Sequence, residues 1–192
     1  APEVNPYNWQ DHIHDKNRPE NLDFLRKLRA VMDEYPAATS IGEVGDAQYG
    51  MKLQAEYTGG GDKIHMAYSF EFLSSLPPTP ERFGEVITHY EQEIGDGWAC
   101  WAFSNHDVVR HASRWNLGED ARRLFAGLLM SLRGSVCLYQ GEELGLTEAY
   151  VAYEDLQDPY GKRFWPKFKG RDGSRTPMPW SADAANGGFT DA

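Results

Sequence analysis

Two carboxylates stand where apolar, strand-like runs of the sequence break into loops. Glu43 lies near the end of TSIGEV (residues 39–44), and Asp107 ends WAFSNHD (residues 101–107). Ionisable side chains at such ends are hard to explain by packing and are typical of active sites at the mouth of an α/β barrel. Cleavage of a glycosidic bond uses two carboxyl groups, one as an acid for the leaving oxygen and one as negative charge near a cationic sugar transition state.

Each motif also has a structural explanation. Glu43 could be a solvated glutamate at a strand end. Asn105, His106 and Asp107 could cap a helix, or they could hold sugar hydroxyls with complementary donors and acceptors. A metal site built from His106, Asp107 and His111 is disfavoured, because the spacing of the two histidines matches no common metal-binding helix. We therefore expect no metal and no cofactor.

Basic and turn-forming residues follow the second carboxylate. Arg110 or Arg114 could orient Asp107 through a charge-assisted contact, or each could be a surface arginine. The glycine and acidic residues of QGEELG (residues 140–145) favour a structural turn. Residues 170–180 are dense in turn formers and charge, which predicts a fixed loop of the kind that often contacts substrate.

The elements that must position these residues alternate between helix and strand. Periodicity and start and stop signals predict helices over residues 19–35, 51–57, 80–93 and 119–132, and buried or alternating apolar runs predict strands over 39–44, 65–72, 99–103 and 135–139. Thr79 is the candidate N-cap of the third helix, with Pro80 in its first turn. This order predicts a parallel α/β sheet with its first and last strands as open edges.

The bulk composition excludes several classes of function. The 192 residues suffice for one domain with a core, and the formal net charge of −10 disfavours a nucleic-acid partner, because its phosphates would be repelled. No run approaches the roughly 18 apolar residues of a membrane helix, and no basic, apolar leader opens the chain. Cys100 and Cys137 lie in apolar runs, so we expect buried free thiols in a cytoplasmic protein.

Taken together, the motifs resemble those of the α-amylase family of glycoside hydrolases, in particular its α-glucosidase branch. The resemblance implies that Glu43, at the end of the fifth barrel strand, is the general acid/base. It implies that His106 and Asp107, at the end of the seventh strand, hold the sugar and that the aspartate stabilises the transition state. Arg171 opens a segment similar to a bacterial α-glucosidase signature and would reach the substrate, and Arg110 is a further candidate for substrate binding.

The same resemblance implies only part of a catalytic domain. Residues 1–192 would be the C-terminal half of a (β/α)8 barrel, strands five to eight with their helices. The family's nucleophile is an aspartate in a Gly-Phe-Arg-x-Asp type of motif at the end of the fourth strand. No segment here matches that motif, and neither Asp11 nor Asp15 can take its place.

The expected parent activity is retaining hydrolysis of short α-glucosides, with the isolated chain inactive. Because the two carboxylates have different roles, Glu43 is expected in a drier setting with more acidic neighbours than Asp107. Open sheet edges predict self-association. A transglycosidase or isomerase of the same family, or a non-catalytic carbohydrate-binding module, remain as alternatives.

Overall fold

The computed structural model describes residues 9, 10, 12–46 and 49–191. Asp11, one of the two aspartates rejected above as the nucleophile, lies outside these ranges. The helices are α1 (Asn21–Met32), α2 (Gly50–Thr58), α3 (Pro80–Glu93), α4 (His111–Arg114), α5 (Glu119–Ser131) and α6 (Pro159–Phe164), and the strands are β1 (Ile41–Glu43), β2 (Met66–Tyr68), β3 (Ala99–Trp101) and β4 (Ser135–Val136). Short 3-10 turns lie at Gly59–Gly61, Tyr153–Asp155, Asp172–Ser174 and Ala185–Gly188.

The four strands form one parallel sheet in the order β1-β2-β3-β4. Ile41 pairs with Met66, Ala67 with Ala99, and Cys100 with Ser135. Parallel strands need long crossovers, and the intervening helices provide them. The predicted parallel α/β order is therefore confirmed, with β1 and β4 as the two edges of the sheet.

The chain divides into two compact units. One, the sheet unit, comprises residues 10–102 and 129–137 and holds all four strands. The other, the loop unit, comprises residues 1–9, 103–128 and 138–192 and holds α4, α6 and most of the irregular segments. Glu43 belongs to the sheet unit, whereas Asp107 and Arg171 belong to the loop unit.

The sheet unit has an aromatic core that fixes β3. Phe72 stacks on Phe83 with ring centroids 4.4 Å apart, and Tyr90 packs edge-on against Trp101 at 4.7 Å. The Tyr90 hydroxyl accepts a hydrogen bond from the backbone N–H of Ala99 at 3.1 Å, which ties α3 to the start of β3. A second cluster packs under β1 and β2 and contains Leu25, Val44, Tyr57, Ile64 and Ala67.

The loop unit has its own smaller aromatic cluster. The ring of Phe103 lies 5.3 Å from that of Trp115 and 6.1 Å from that of Phe125. Phe103 is fully buried and follows β3 directly, so this cluster anchors the segment that carries Asp107. Burial of large aromatic surface stabilises this unit, which has little regular structure.

Local signals predicted α3 well and predicted short elements poorly. Thr79 caps α3 by accepting a hydrogen bond from the backbone N–H of Arg82, and Pro80 is its first residue, as predicted. The strand predicted over residues 65–72 is only Met66–Tyr68, and β4 is half-buried rather than buried. The sequence did not predict α4 and α6, because four and six residues are too few to show helical periodicity.

The two cysteines differ in burial. Cys100 and Cys137 are free thiols, as expected, but only Cys100 is buried and Cys137 is half-buried. Burial raises the pKa of the Cys100 thiol to about 11. Over the residues that the structure describes, no helix has the length and apolar character needed to cross a membrane.

Candidate active site

Glu43 lies at the carboxyl end of β1 and is exposed. The start of the strand is held by its neighbour: Ser40 Oγ lies 2.9 Å from His65 Nδ1 and accepts a hydrogen bond from the His65 backbone N–H at 3.1 Å. A Cβ at Gly42 would lie 2.3 Å from Ile64 Cδ1, so a larger residue beside Glu43 would require the end of the Ile64 side chain to move. Within the described residues, the Glu43 side chain forms no hydrogen bond or ion pair, whereas its backbone pairs with Tyr68 of β2. This strand end therefore presents an exposed carboxylate that no neighbouring side chain holds.

The drier setting expected for Glu43 is wrong for this chain. Glu43 is exposed, whereas Val44, the next residue, is 4 % exposed. The physical reason is the position of β1 at the edge of the sheet, where β2 is its one neighbour among the described residues. Ile41, on the same strand, is 53 % exposed for the same reason.

Asp107 is placed by a tight turn after β3. The Asn105 side-chain oxygen accepts hydrogen bonds from the backbone N–H groups of Asp107 at 2.9 Å and Val108 at 3.2 Å. Such an Asx turn is a common use of asparagine, and it turns the chain sharply out of the buried strand segment. Asn105 therefore caps a turn, and the helix cap offered as its structural explanation is wrong. Its alternative role, binding of sugar hydroxyls together with His106 and Asp107, stays a prediction.

Two arginines hold the Asp107 carboxylate. Asp107 Oδ1 accepts hydrogen bonds from Arg171 Nη1 and Arg175 Nη2, both at 2.8 Å. Arg175 also donates through Nε to the backbone carbonyl of His106 at 2.8 Å. The side chain of Asp107 is 45 % exposed and that of His106 is 64 % exposed. The arrangement is a fixed carboxylate beside an open imidazole, both accessible to a ligand.

The sequence predicted Arg110 or Arg114 as the partner of Asp107, but the arginines that bind its carboxylate are Arg171 and Arg175. Arg110 is 2 % exposed, and its guanidinium donates to the carbonyls of Gln140 at 2.8 Å and Ser174 at 3.1 Å. It also lies over the Tyr139 ring at 4.9 Å. Arg110 therefore orders neighbouring loops and is too buried for the substrate contact expected of it. Arg114 likewise donates to backbone carbonyls, those of Phe103 and Val109.

Arg171 is shared between two aspartates. Besides Asp107, it contacts Asp158, which accepts from Arg171 Nε at 2.8 Å and from Nη2 at 3.1 Å. The Asp158 side chain is fully buried, and the Arg171 guanidinium beside it lowers the pKa of that carboxyl to about 2. In turn, hydrogen bonding to Asp158 raises the pKa of Arg171 above its ordinary value.

A second buried polar contact lies beneath the loop after β4. His111 Nδ1 lies 3.2 Å from Glu142 Oε1 and 2.9 Å from Ser104 Oγ, with the His111 and Glu142 side chains 6 % and 4 % exposed. Burial raises the pKa of Glu142 to about 7 and lowers that of His111 to about 4. The structural explanation offered for residues 140–145 agrees with this burial.

Asp158, Arg175 and the His111–Glu142 contact were not among the sequence-derived candidates. Asp158 carried one usable signal, since an aspartate directly before Pro159 is typical of a helix N-cap with proline in the first turn. Arg175 lay in the predicted fixed loop without a partner that sequence could identify. Over the described part of the chain, no cluster of three or more His, Cys, Asp or Glu side chains is arranged to hold a metal ion.

Comparison with known proteins gives the family. A family model described as "Alpha amylase, catalytic domain" matches residues 1–192. The chain is 62% identical over 196 residues to "Probable alpha-glucosidase" of Rhizobium meliloti (strain 1021), covering 100% of this chain and 35% of that protein. It is 29% identical to "Maltase A1" of Drosophila melanogaster, again covering 100% of this chain and 35% of the relative.

Two solved structures also match this chain. The crystal structure of an alpha-glucosyl transfer enzyme matches with a TM-score of 0.89 and 50% identity, over 97% of this chain and 35% of that one. A trehalulose synthase from Pseudomonas mesoacidophila matches with a TM-score of 0.74 at 22% identity, over 90% of this chain and 37% of that one, which is a likeness of fold.

The chain spans about a third of the length of these relatives. Its four-stranded parallel sheet is accordingly part of a (β/α)8 barrel, as the sequence motifs predicted, and the assignment of its strands as the fifth to the eighth stays a prediction. Because the family model covers every residue, the chain belongs to the alpha-amylase catalytic domain family.

Proposed function

We propose that the full-length protein is a retaining α-glucosidase that hydrolyses α-glucosidic bonds in short oligosaccharides. The observation that carries the proposal is the setting of Asp107, a half-exposed carboxylate held at 2.8 Å by both Arg171 and Arg175 in a loop after a barrel strand. Relatives named as an α-glucosidase, a maltase and an oligo-1,6-glucosidase support it.

The proposed mechanism divides the chemistry between the two strand ends. Glu43 protonates the departing glycosidic oxygen and later takes a proton from the incoming water. Asp107 places fixed negative charge near the cationic transition state, while His106 and Arg171 hold hydroxyl groups of the glucose that is transferred. The attacking carboxylate belongs to a strand outside these residues, as the family resemblance implies.

The charge of the loop-unit cluster favours an uncharged sugar. Asp107 and Asp158 carry two formal negative charges, and Arg171 and Arg175 carry two positive ones, so the ion-paired set sums to zero. A phosphorylated sugar would find no excess of positive charge there. We therefore propose neutral α-glucosides as the substrate class.

The test is product analysis of the full-length protein with maltose, isomaltose and sucrose, together with NMR of the first-formed anomer. The proposal expects glucose release and the α-anomer first, because a double displacement retains configuration. Release of the β-anomer first, or no turnover of any α-glucoside, would overturn it. A Glu56→Gln variant, which alters another exposed glutamate of the sheet unit, is the control and should release the same products as the unmodified protein.

Transglycosylation is the second candidate. It is favoured by the 50% identity to a solved structure named as an alpha-glucosyl transfer enzyme. The same product analysis separates the two, since transfer to sugar builds longer or rearranged saccharides in place of free glucose. A non-catalytic carbohydrate-binding role would instead give binding without products.

We also propose that residues 1–192 alone are inert and self-associate. The retaining mechanism needs a second carboxylate about 5–5.5 Å from the acid, and the motif that would supply it has no match here. The exposed apolar Ile41 on edge strand β1 supports association through that edge. An aryl α-glucoside assay beside light scattering checks both expectations: a monodisperse monomer with turnover that depends on Glu43 would contradict them.

A cytoplasmic location and the absence of nucleic-acid or membrane partners remain predictions. The free thiols of Cys100 and Cys137 support the first, and the net charge of −10 supports the absence of a nucleic-acid partner.

A further inference from the structure

The two segments that flank α6 are joined by a reciprocal pair of aspartates. Asp158 Oδ2 accepts the backbone N–H of Arg171 at 2.9 Å, and Asp172 Oδ2 accepts the backbone N–H groups of Asp158 at 2.9 Å and Gln157 at 3.0 Å. Each aspartate thus binds the backbone of the other's segment. The result is a clasp, defined here as residues 157–161 and 170–172.

Two glycines let the backbones of the clasp come together. A Cβ on Gly161 would lie 2.8 Å from Gly170 Cα, and a Cβ on Gly170 would lie 2.9 Å from Gly161 Cα. Gly170 also has a φ of +87°, in the left-handed region that favours glycine. Such close backbone packing fixes the position of the residue that follows, which is Arg171.

The clasp aims the Arg171 side chain at Asp107. Asp158 takes Nε and Nη2, leaving Nη1 to donate to Asp107 at 2.8 Å. The Tyr160 ring lies 5.7 Å from the guanidinium carbon and limits its movement further. A planar guanidinium with two of its nitrogens occupied has little rotational freedom left, so its third nitrogen points in one direction.

We propose that Asp158 is a positioning residue for the reaction, acting through Arg171 on Asp107. It is fully buried and does not itself face a ligand. Besides accepting the Arg171 backbone N–H, which joins the two segments, Asp158 makes a bidentate contact with the Arg171 side chain. The inference rests on the proposed function, because it assigns Asp158 a part in the reaction proposed for Asp107 and Arg171.

The experiment uses the full-length protein and Asp158→Asn. Asparagine keeps an N-cap acceptor but removes the charge that holds Arg171. Asp155→Asn is the matched control: it makes the same chemical change at an exposed position of the same loop. We expect Asp158→Asn to lower kcat on α-glucosides about 10- to 100-fold with a much smaller change in KM, the cost of slight misplacement of a catalytic group. The control should match the unmodified protein.

A double-mutant cycle separates positioning from a general structural role. If Asp158 acts through Arg171, then Arg171→Ala and the double variant Arg171→Ala with Asp158→Asn should have the same kcat within about twofold. A further large loss in the double variant would overturn the proposal, as would unchanged kcat in Asp158→Asn. If Asp158→Asn does not fold, Asp172→Ala releases the opposite side of the clasp and enters the same cycle, with a smaller loss expected.

A readout without turnover keeps the two proposals distinguishable. Modification of Arg171 by phenylglyoxal, followed by mass spectrometry, should be about tenfold faster in Asp158→Asn than in Asp155→Asn, because a charge-assisted contact has been lost. Equal rates would overturn the positioning role even in an inactive protein. An unmodified protein that turns over no α-glucoside would reject the proposed function and leave this measurement to decide on Asp158.

Discussion

The two strand ends that carry the candidate chemistry are built in opposite ways. Glu43 stands at the end of an edge strand and is exposed, and its side chain has no hydrogen-bond or ion-pair partner in the described part of the chain. Asp107 sits in a turn capped by Asn105 and is held by two arginines, one of which is itself anchored by a buried aspartate.

The difference matches the two proposed roles. A general acid/base exchanges protons with a leaving group and then with water, so it must reach two positions and change charge. A group that stabilises a transition state works best when it is already fixed, because no reorganisation is then needed during the reaction. The free Glu43 suits the first role and the clamped Asp107 the second.

The sharpest test of this contrast is Glu43→Gln in the full-length protein. We expect turnover of α-glucosides with poor leaving groups to fall by about three orders of magnitude or more, and that of activated aryl α-glucosides to fall less, since they need less protonation. Azide should restore activity toward activated substrates, because it attacks the glycosyl-enzyme without a base. Equal losses on both substrate types, with no effect of azide, would remove Glu43 from this role.

Asp107→Asn tests the clamped side of the contrast. If Asp107 acts on the transition state, kcat should fall about 100-fold or more while KM changes little. Steady-state kinetics on one α-glucoside measure both, with Asp183→Asn, an exposed aspartate of the loop unit, as the control. A variant that only raised KM would make Asp107 a ground-state contact.

A smaller, pH-dependent effect is expected at the buried Glu142. Its pKa is raised from 4.5 to about 7, so its contribution to stability is present below pH 4.5 and is lost as pH rises through 7. In the Glu142→Gln variant the side chain cannot ionise, so this variant does not lose stability as pH rises through 7. Relative to the unmodified protein, its free energy of unfolding should therefore rise by up to roughly 3 kcal/mol between pH 4.5 and 8.

Urea unfolding at several pH values measures this difference, and Glu143→Gln is the control, because its side chain is the exposed neighbour. The pKa of His111 is lowered from 6.5 to about 4, so its own loss of stability occurs as pH falls. Both proteins share this loss to a first approximation, so it largely cancels in the difference between their free energies of unfolding. A difference in unfolding free energy that did not vary with pH would contradict the buried-carboxyl explanation.

The smallest expected effect lies far from the chemistry, at the α3 cap. Thr79→Ala removes the acceptor for the Arg82 backbone N–H and should lower the free energy of unfolding by about 1 kcal/mol, with kcat unchanged. Thr79→Ser, which keeps a hydroxyl, should restore most of the loss. A drop in kcat with Thr79→Ala would contradict a purely local role for this cap.

Sequence located the chemical groups better than it located their partners. Glu43, His106, Asp107 and Arg171 were all identified from type, spacing and resemblance, and their catalytic and binding roles remain predictions. The expected partner of Asp107 was taken from the nearest arginines, Arg110 and Arg114, whereas the contacts come from Arg171 and Arg175, more than sixty positions away. Proximity along the chain was a poor guide because a loop brings distant residues together.

What the sequence alone determined was local. Capping, proline placement and apolar runs act over a few residues, so they predicted α3 with its cap, the alternation of helices and strands along the chain, and the free thiols. What tertiary structure decided was which charges meet and which are buried. Asp158 and Glu142 look like ordinary loop acids in sequence, yet each is enclosed by segments from elsewhere in the chain. Burial and pairing depend on the path of the whole chain, and no local pattern encodes that path.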